Sequence, residues 1–294
     1  MQALKTLGKN LKYIMRILKS EGFLNYETDA EILFCFLLKL KRSDLYLNFY
    51  QTLTENELAK INRLVELRLA HLPIQYITHQ TAFMGIDFQV SKDVFIPRPE
   101  TEILVEKVLS ISKKMSRLKP FKLVELGTGT GIIAISLVYF LKTVKVYAID
   151  ISEKAIVLAR KNALKHHCQK NIDFIKGDFI NIITQKFQTN SLDGIISNPP
   201  YIPKNEIDHL SLEIKNHEPH TALDGGMDGL FYYEKIIKHG TEYLKKGGFL
   251  AMEMGMGQTK SIKKMIIQKG DFRENIEIIK DYSGIERVIV AYKK

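Results

Sequence analysis

The chain reads as an α/β protein: a doubly wound, mostly parallel sheet preceded by a small helical bundle and a β-hairpin linker. From about residue 100, short β-rich runs alternate with helical segments. Up to about residue 72 the apolar residues recur at helical three- and four-residue spacing. The length, 294 residues, is enough for one large domain and a small one.

In the first part, LGKNLKYIMRIL, TDAEILFCFLLKL and TENELAKINRLVELRLA each carry one apolar stripe. Thr28 with Glu31, and Thr54 with Glu57, predict two capping boxes. The first 20 residues carry Lys5, Lys9, Lys12, Arg16 and Lys19 with no acid. A transit peptide would be rich in Arg and Ser, whereas this stretch is Lys-rich and runs on into more helix, so it is read as the first helix. PIQYITHQTAFMGIDFQVSKDVFIPRP alternates and is rich in aromatic and β-branched residues, which predicts a hairpin connector. The expected division is residues 1–72, a helical bundle; 73–98, a hairpin linker; and 99–294, the α/β domain.

Within that domain KLVELG, KVYAID, IDFIKGD, DGIISNPP and GGFLAMEMG are the predicted strands, each separated by a helical segment. IEIIKDYSGIERVIVAYKK holds two more with no helix between them, an antiparallel hairpin at the sheet edge.

Composition narrows the function. The net charge of +10 favours an acidic partner, nucleic acid or a ribonucleoprotein-associated factor first; a Lys-biased proteome is the bland alternative. Two cysteines, Cys35 and Cys168, are too few for a disulfide framework or a Cys-rich metal site. They fit a reducing compartment, so a cytoplasmic protein is expected. No apolar run approaches the roughly 20 residues of a membrane helix, and no signal peptide is visible. His166, His167, His209, His217 and His220 show no metal spacing, so no metal is expected.

VELGTGTGIIAISL places Gly127, Thr128, Gly129, Thr130 and Gly131 directly after a strand and before a helix. Glycines there allow a sharp turn and close approach of a ligand to the backbone. The dinucleotide fingerprint would want a further glycine at Ile132, so the spacing fits a nucleoside with an amino-acid tail better than a pyrophosphate. Asp150 ends the next strand, where a carboxylate can accept from both ribose hydroxyls. Together these point to S-adenosylmethionine. Asp178 and Phe179 end the third strand on the same rim, for the adenine amino group and the face of the base; capping a helix or filling the core is the alternative for either.

The fourth strand runs into SNPPY, where two prolines must stop it. Pro199 and Pro200 contribute carbonyl acceptors without backbone N–H donors, and Asn198 adds a side-chain acceptor. The expected result is a small acceptor-lined site for an NH₂ group, with Tyr201 against the flat group that carries it.

FIPRPETE, VELGTGTGIIAISL, YAIDISEKAIVLARKNA, SNPPYIP, EPHTALDGGMDGLFYY, LKKGGFLAMEMGMGQ and DYSGIERVIV fall in the order and spacing of a known family. The chain resembles the peptide chain release factor glutamine methyltransferases over nearly its whole length. Asn-Pro-Pro-Tyr alone is shared with adenine and cytosine amino-methyltransferases; FIPRPETE with EPHTALDGGMDGL is far more specific. The resemblance implies a Rossmann-like class I S-adenosylmethionine-dependent methyltransferase domain. It also implies methylation of the side-chain amide of the glutamine in the Gly-Gly-Gln loop of release factors. By that analogy Gly127 to Gly131, Asp150, Phe179 and Asn198 contact the cofactor, and Asn198 to Tyr201 hold the glutamine. The helical bundle is expected to dock the protein substrate, without membrane or sequence-specific nucleic-acid binding, and the enzyme is expected to be a monomer. Glu125 stands where the family usually has Asp, Phe179 where Trp is common, and His79 where Gly usually follows the Tyr-Ile-Thr stretch. A nucleic-acid amino-methyltransferase and a non-catalytic ribosome- or factor-binding protein are the competing readings.

Overall fold

The computed structural model describes residues 6–115, 120–141 and 143–294. They cluster into two compact units, one of the described residues up to Gln80 with Leu212–His217, and one of the described residues from Thr81 to Ser211 and from Glu218 to Lys294.

The first unit opens with α1 (Leu7–Ser20), α2 (Tyr26–Leu38), α3 (Arg42–Leu47), α4 (Glu55–Leu69) and α5 (Ile74–Thr78). Leu7, Leu11, Ile14 and Leu18 bury one stripe of α1 in its core. Lys9, Lys12, Arg16 and Lys19 lie on the exposed face; Lys5 falls outside the described residues. The Thr54–Glu57 capping box is present, with Glu57 N–H donating to Thr54 and Thr54 N–H donating to the Glu57 carboxylate at 2.7 Å. The expected box at Thr28 and Glu31 is not. α2 begins earlier, at Tyr26, and the Glu31 carboxylate is taken by the Arg42 guanidinium at 2.5 Å and by the Tyr46 hydroxyl. A charge-assisted pair outcompetes a backbone N–H. The hairpin expectation for PIQYIT is also corrected: Tyr76 and Ile77 donate to the Pro73 carbonyl, and buried Ile74, Tyr76 and Ile77 form a helical turn. Over so few residues, alternation does not separate a strand from a helix.

The second unit begins with the hairpin β1 (Gln80–Phe83) and β2 (Ile86–Gln89). It continues as α6 (Thr101–Lys114), β3 (Phe121–Leu126), α7 (Ile132–Phe140), β4 (Val144–Asp150), α8 (Glu153–Lys165), β5 (Ile172–Lys176), α9 (Phe179–Lys186) and β6 (Leu192–Ser197). After β6 comes α10 (Leu212–His217), which belongs to the first unit. There the buried guanidinium of Arg68 pairs with Glu213 at 2.6 Å and Asp29 at 2.7 Å, and lies 4.4 Å over the Phe23 ring. The chain closes with α11 (Phe231–Gly240), β7 (Leu244–Glu253), α12 (Thr259–Lys269), β8 (Glu277–Lys280) and β9 (Glu286–Tyr292).

The sheet order is β5-β4-β3-β6-β7-β9-β8, parallel from β5 to β7 and antiparallel at β9 and β8. Successive strand residues point to opposite faces. Leu123, Ala251 and Val290 therefore join one core with α6 and α7, while Val124, Leu250 and Ile289 join the other with α9, α11 and α12. β4 and β5 are laid down to one side of β3, β6 and β7 to the other. The carboxyl ends of β3 and β6 flank the crevice that such a reversal opens. Among the described residues no helix is long and apolar enough to cross a membrane.

Candidate active site

The turn after β3 folds over the end of β4: Gly127 and Thr128 N–H both donate to the Ile149 carbonyl, at 2.9 and 3.1 Å. Gly127 and Gly129 have φ of +71° and +54°, a region where a Cβ is costly. A Cβ added at Gly127 would meet nothing nearer than the Asn198 carbonyl oxygen, 3.9 Å away. The loop therefore presents bare backbone toward the end of β6. Gly131 N–H donates to the Thr128 carbonyl at 2.8 Å and leads into α7. The Thr128 hydroxyl turns inward and donates to Glu125 Oε2 at 2.8 Å, which with the Thr128 backbone bonds fixes the shape of the turn. Buried Thr130 gives its carbonyl to the Asn162 amide at 3.0 Å. The same amide exchanges two hydrogen bonds with the Gln89 backbone, tying hairpin and glycine loop to α8.

Glu125 is fully buried, and burial pushes its carboxyl up to about 8. Oε2 accepts from Thr128 and from Ala134 N–H, but Oε1 has no partner. An orphaned buried carboxylate oxygen under a glycine turn is a place for a cation. Asp150, at the end of β4, accepts from Gly129 N–H at 2.8 Å and Ser152 N–H at 2.9 Å, one on each oxygen. Ile151 N–H acts on the same carboxylate, whose roughly four acceptor sites still leave room for a further donor. Burial raises the Asp150 pKa against the pull of these bonds. Bare glycine backbone, an acid with one orphaned oxygen and a second carboxylate with spare acceptor capacity fit a nucleoside that carries an ammonium-bearing tail.

Asp178 is exposed and caps α9, its Oδ1 accepting from Ile180 N–H at 3.0 Å and Asn181 N–H at 3.4 Å. Phe179 is half-buried and packs against the core beneath α9 and α11.

At the end of β6 the Ser197 hydroxyl donates to the Leu126 carbonyl at 2.9 Å, which pins the two strand ends together. Next, Asn198 Nδ2 donates to Thr101 Oγ1 at 3.1 Å, and Thr101 Oγ1 donates to Glu253 Oε2 at 2.7 Å. Glu253 ends β7 and is buried, and burial pushes its carboxyl up to about 7. Tyr201 is half-buried; burial, then the Glu253 charge, push its phenol up to about 12.

The loop after Pro200 is held by its neighbours. Gln258 Nε2 donates to the carbonyls of Tyr201 and Gly229, and its Oε1 accepts from Gly255 N–H at 3.0 Å. A Cβ on Gly225 would stand 2.8 Å from Tyr201 Cα, so that loop rests directly on the Tyr201 backbone. Arg98 pairs with buried Glu218 and stacks 4.7 Å over Phe95. The separate motifs of the sequence thus converge on one rim. Sequence reasoning placed the glycines, Asp150 and Asn198 to Tyr201 there. It gave no role to Thr101, Glu253 or Gln258, although all three stand inside the motifs quoted. Spacing along a chain does not reveal which motifs fold against each other.

A mostly parallel sheet with its order reversed beside β3, a bare glycine turn and an Asn-Pro-Pro-Tyr strand end define a Rossmann-like methyltransferase. Residues 119–277 match the family described as a methyltransferase domain, and residues 10–78 the PrmC N-terminal domain. The release factor glutamine methyltransferase of Fusobacterium nucleatum is 37% identical, over 99% of this chain and 78% of that protein. That of Thermodesulfovibrio yellowstonii is 37% identical, over 90% of this chain and 92% of its own. A crystal structure of a methyltransferase from Pyrococcus furiosus shares the fold, with a TM-score of 0.51 at 20% identity over 71% of this chain and 90% of that one. The chain belongs to the release factor glutamine methyltransferase family.

Proposed function

We propose that this protein transfers a methyl group from S-adenosylmethionine to the side-chain amide nitrogen of the glutamine in the Gly-Gly-Gln loop of release factors. The observation that carries the reading is the amide of Asn198, tethered through its nitrogen to Thr101. Its oxygen is thereby left to accept from an incoming NH₂ group.

Gly127 to Gly131 hold the amino-acid tail of the cofactor by backbone, with Glu125 beneath its ammonium. Asp150 takes the ribose hydroxyls, and Asp178 and Phe179 flank the adenine. Bound S-adenosylmethionine supplies an electrophilic methyl group on a sulfonium. An amide nitrogen is a poor nucleophile because its lone pair is delocalised, as the rotation barrier of ~18–20 kcal/mol reflects. Asn198 Oδ1 and the Pro199 carbonyl accept its two N–H bonds. These bonds strengthen as the nitrogen becomes cationic, so the pair binds the transition state more tightly than the ground state. As the new N–C bond forms the methyl's bond to sulfur breaks, leaving a neutral thioether, and the now acidic nitrogen sheds one N–H proton to water. Pro200 keeps the turn free of competing donors, and Tyr201 lies against the planar amide. With its phenol pushed up to about 12, Tyr201 stays protonated and serves as a packing surface rather than a base.

The helical unit docks the release factor through the exposed basic face of α1. The proposed working unit is the monomer, acting in the cytoplasm. Labelled methyl transfer to an intact release factor, beside an equal amount of DNA, tests the reading. Label on the factor that disappears when the loop glutamine is changed to alanine supports it. Label on DNA with the factor untouched contradicts it. Reversing Lys9, Lys12 and Arg16 to Glu tests docking: KM for the factor should rise while cofactor affinity stays unchanged.

A further inference from the structure

The Asn198 side chain has two ends of similar shape and opposite chemistry, and only one orientation suits a substrate NH₂. Nothing in Asn198 itself decides between them; the two residues behind it do. An ionised carboxylate only accepts, and a threonine hydroxyl has one proton to give. With the Thr101 proton committed to Glu253 at 2.7 Å, Thr101 Oγ1 can only accept from its other neighbour, which is Asn198 Nδ2 at 3.1 Å. The chain of bonds has a single polarity, set at its buried end. We infer that Thr101 and Glu253 are a positioning pair that holds Asn198 with its nitrogen inward and its oxygen toward the substrate, so that turnover requires Glu253 to be ionised. The inference rests on the glutamine-amide reading above.

Burial of Glu253 would protonate it near neutrality, and its surroundings oppose one another. Thr101 and Asn198 hydrogen bonds and the charge of Arg287 on β9 favour the carboxylate; the charge of Glu100 disfavours it. Tyr201 and Tyr233 face it as neutral phenols, the Tyr233 hydroxyl donating to the Glu253 main-chain carbonyl at 3.0 Å. The result is a carboxyl pushed up to about 7. Once protonated, Glu253 can donate to Thr101, whose own proton then turns toward Asn198. Asn198 must answer with its oxygen, and its NH₂ swings toward the crevice. Two NH₂ groups facing each other cannot pair, and the acceptor is lost.

Three variants and one spectroscopic signal test the pair. Thr101→Val keeps the shape and removes the hydroxyl; kcat on intact release factor should fall about tenfold or more, with KM and cofactor affinity within about twofold. Thr101→Ser should restore the rate. In the wild type, kcat should fall as pH drops through about 7, and this acid limb should vanish in Glu253→Gln. Independently of catalysis, the ¹⁵N resonance of the Asn198 side-chain amide should titrate with the same midpoint in the wild type and not in Glu253→Gln. A Thr101→Val enzyme with wild-type kcat, or a wild-type Asn198 resonance that does not titrate, would overturn the inference, as would an acid limb that persists in Glu253→Gln. If the wild type labels no release factor while Asn198 still titrates with Glu253, the substrate assignment falls and the positioning pair stands.

Discussion

The side chain of Gln258 donates to the main-chain carbonyl of Tyr201 at 2.9 Å, and from the same nitrogen to the carbonyl of Gly229. Two loops that carry no regular secondary structure are thus fastened to the mouth of β7 by one amide. Tyr201 owes its place to this clamp, because the prolines before it fix the turn but supply no N–H to anchor it.

Gln258→Ala should therefore loosen the substrate side of the site and spare the cofactor side. We expect the KM for release factor to rise and kcat to fall, with cofactor affinity changed less than twofold. Steady-state kinetics beside calorimetry check this. A variant that loses cofactor affinity instead would show that the clamp serves the other half of the crevice.

Asp150→Ala should weaken S-adenosylmethionine binding by roughly 1.5–3 kcal/mol, the scale of hydrogen bonds to a charged group. The bonds from Gly129 and Ser152 hold the carboxylate in place. Unchanged affinity by calorimetry in a folded variant would remove the ribose assignment.

Glu125 links the cofactor site to stability. Its carboxyl lies at about 8 in the fold, above the unfolded range near 4.3. The folded state thus binds the proton more tightly, and the stabilisation it gives is complete below the unfolded pKa and lost as pH rises toward about 8. The slope is at most about 1.4 kcal/mol per pH unit. Glu253, pushed up to about 7, adds a second slope of the same sign. Glu125→Gln without cofactor should unfold at higher urea than the wild type near pH 9 and lose that advantage near pH 5. An advantage independent of pH would contradict the assignment of the buried proton to Glu125.

His79 occupies the left-handed region at φ +57°, capping α5 with its side chain exposed. A non-glycine residue there costs roughly 1–2 kcal/mol, part of which glycine returns as chain entropy. His79→Gly should stabilise the protein by about 0.5–1 kcal/mol in denaturant unfolding, and His79→Ala should not. Equal effects from both would place the cause in the imidazole rather than the backbone.

Much of this architecture was legible in the chain. Strand–helix alternation gave the sheet, and the glycine turn, Asp150 and Asn198 stand at consecutive strand ends because a parallel sheet brings its carboxyl ends to one rim. The glycine absent from position 79 was visible as a departure; its physical reason, a positive φ, was not. Local pattern misled at Thr28, where Arg42 holds the expected capping acid, and at Ile74–Thr78, where five residues are too few to show a period. The contribution of Leu212–His217 to the helical unit rests on Arg68 meeting Glu213, far apart in sequence. Thr101 and Glu253 were hidden for the same reason: their meaning is a contact, and no spacing rule joins the start of α6 to the end of β7.

The central claim is that Asn198 accepts from an amide nitrogen as that nitrogen becomes cationic. Asn198→Ala, assayed on intact release factor at saturating cofactor, tests it most directly. In this variant kcat should be lower by about 10²–10³, the scale of removing one preorganised electrostatic partner, with KM and cofactor affinity changed only modestly. A folded Asn198→Ala enzyme with near-normal kcat would contradict it.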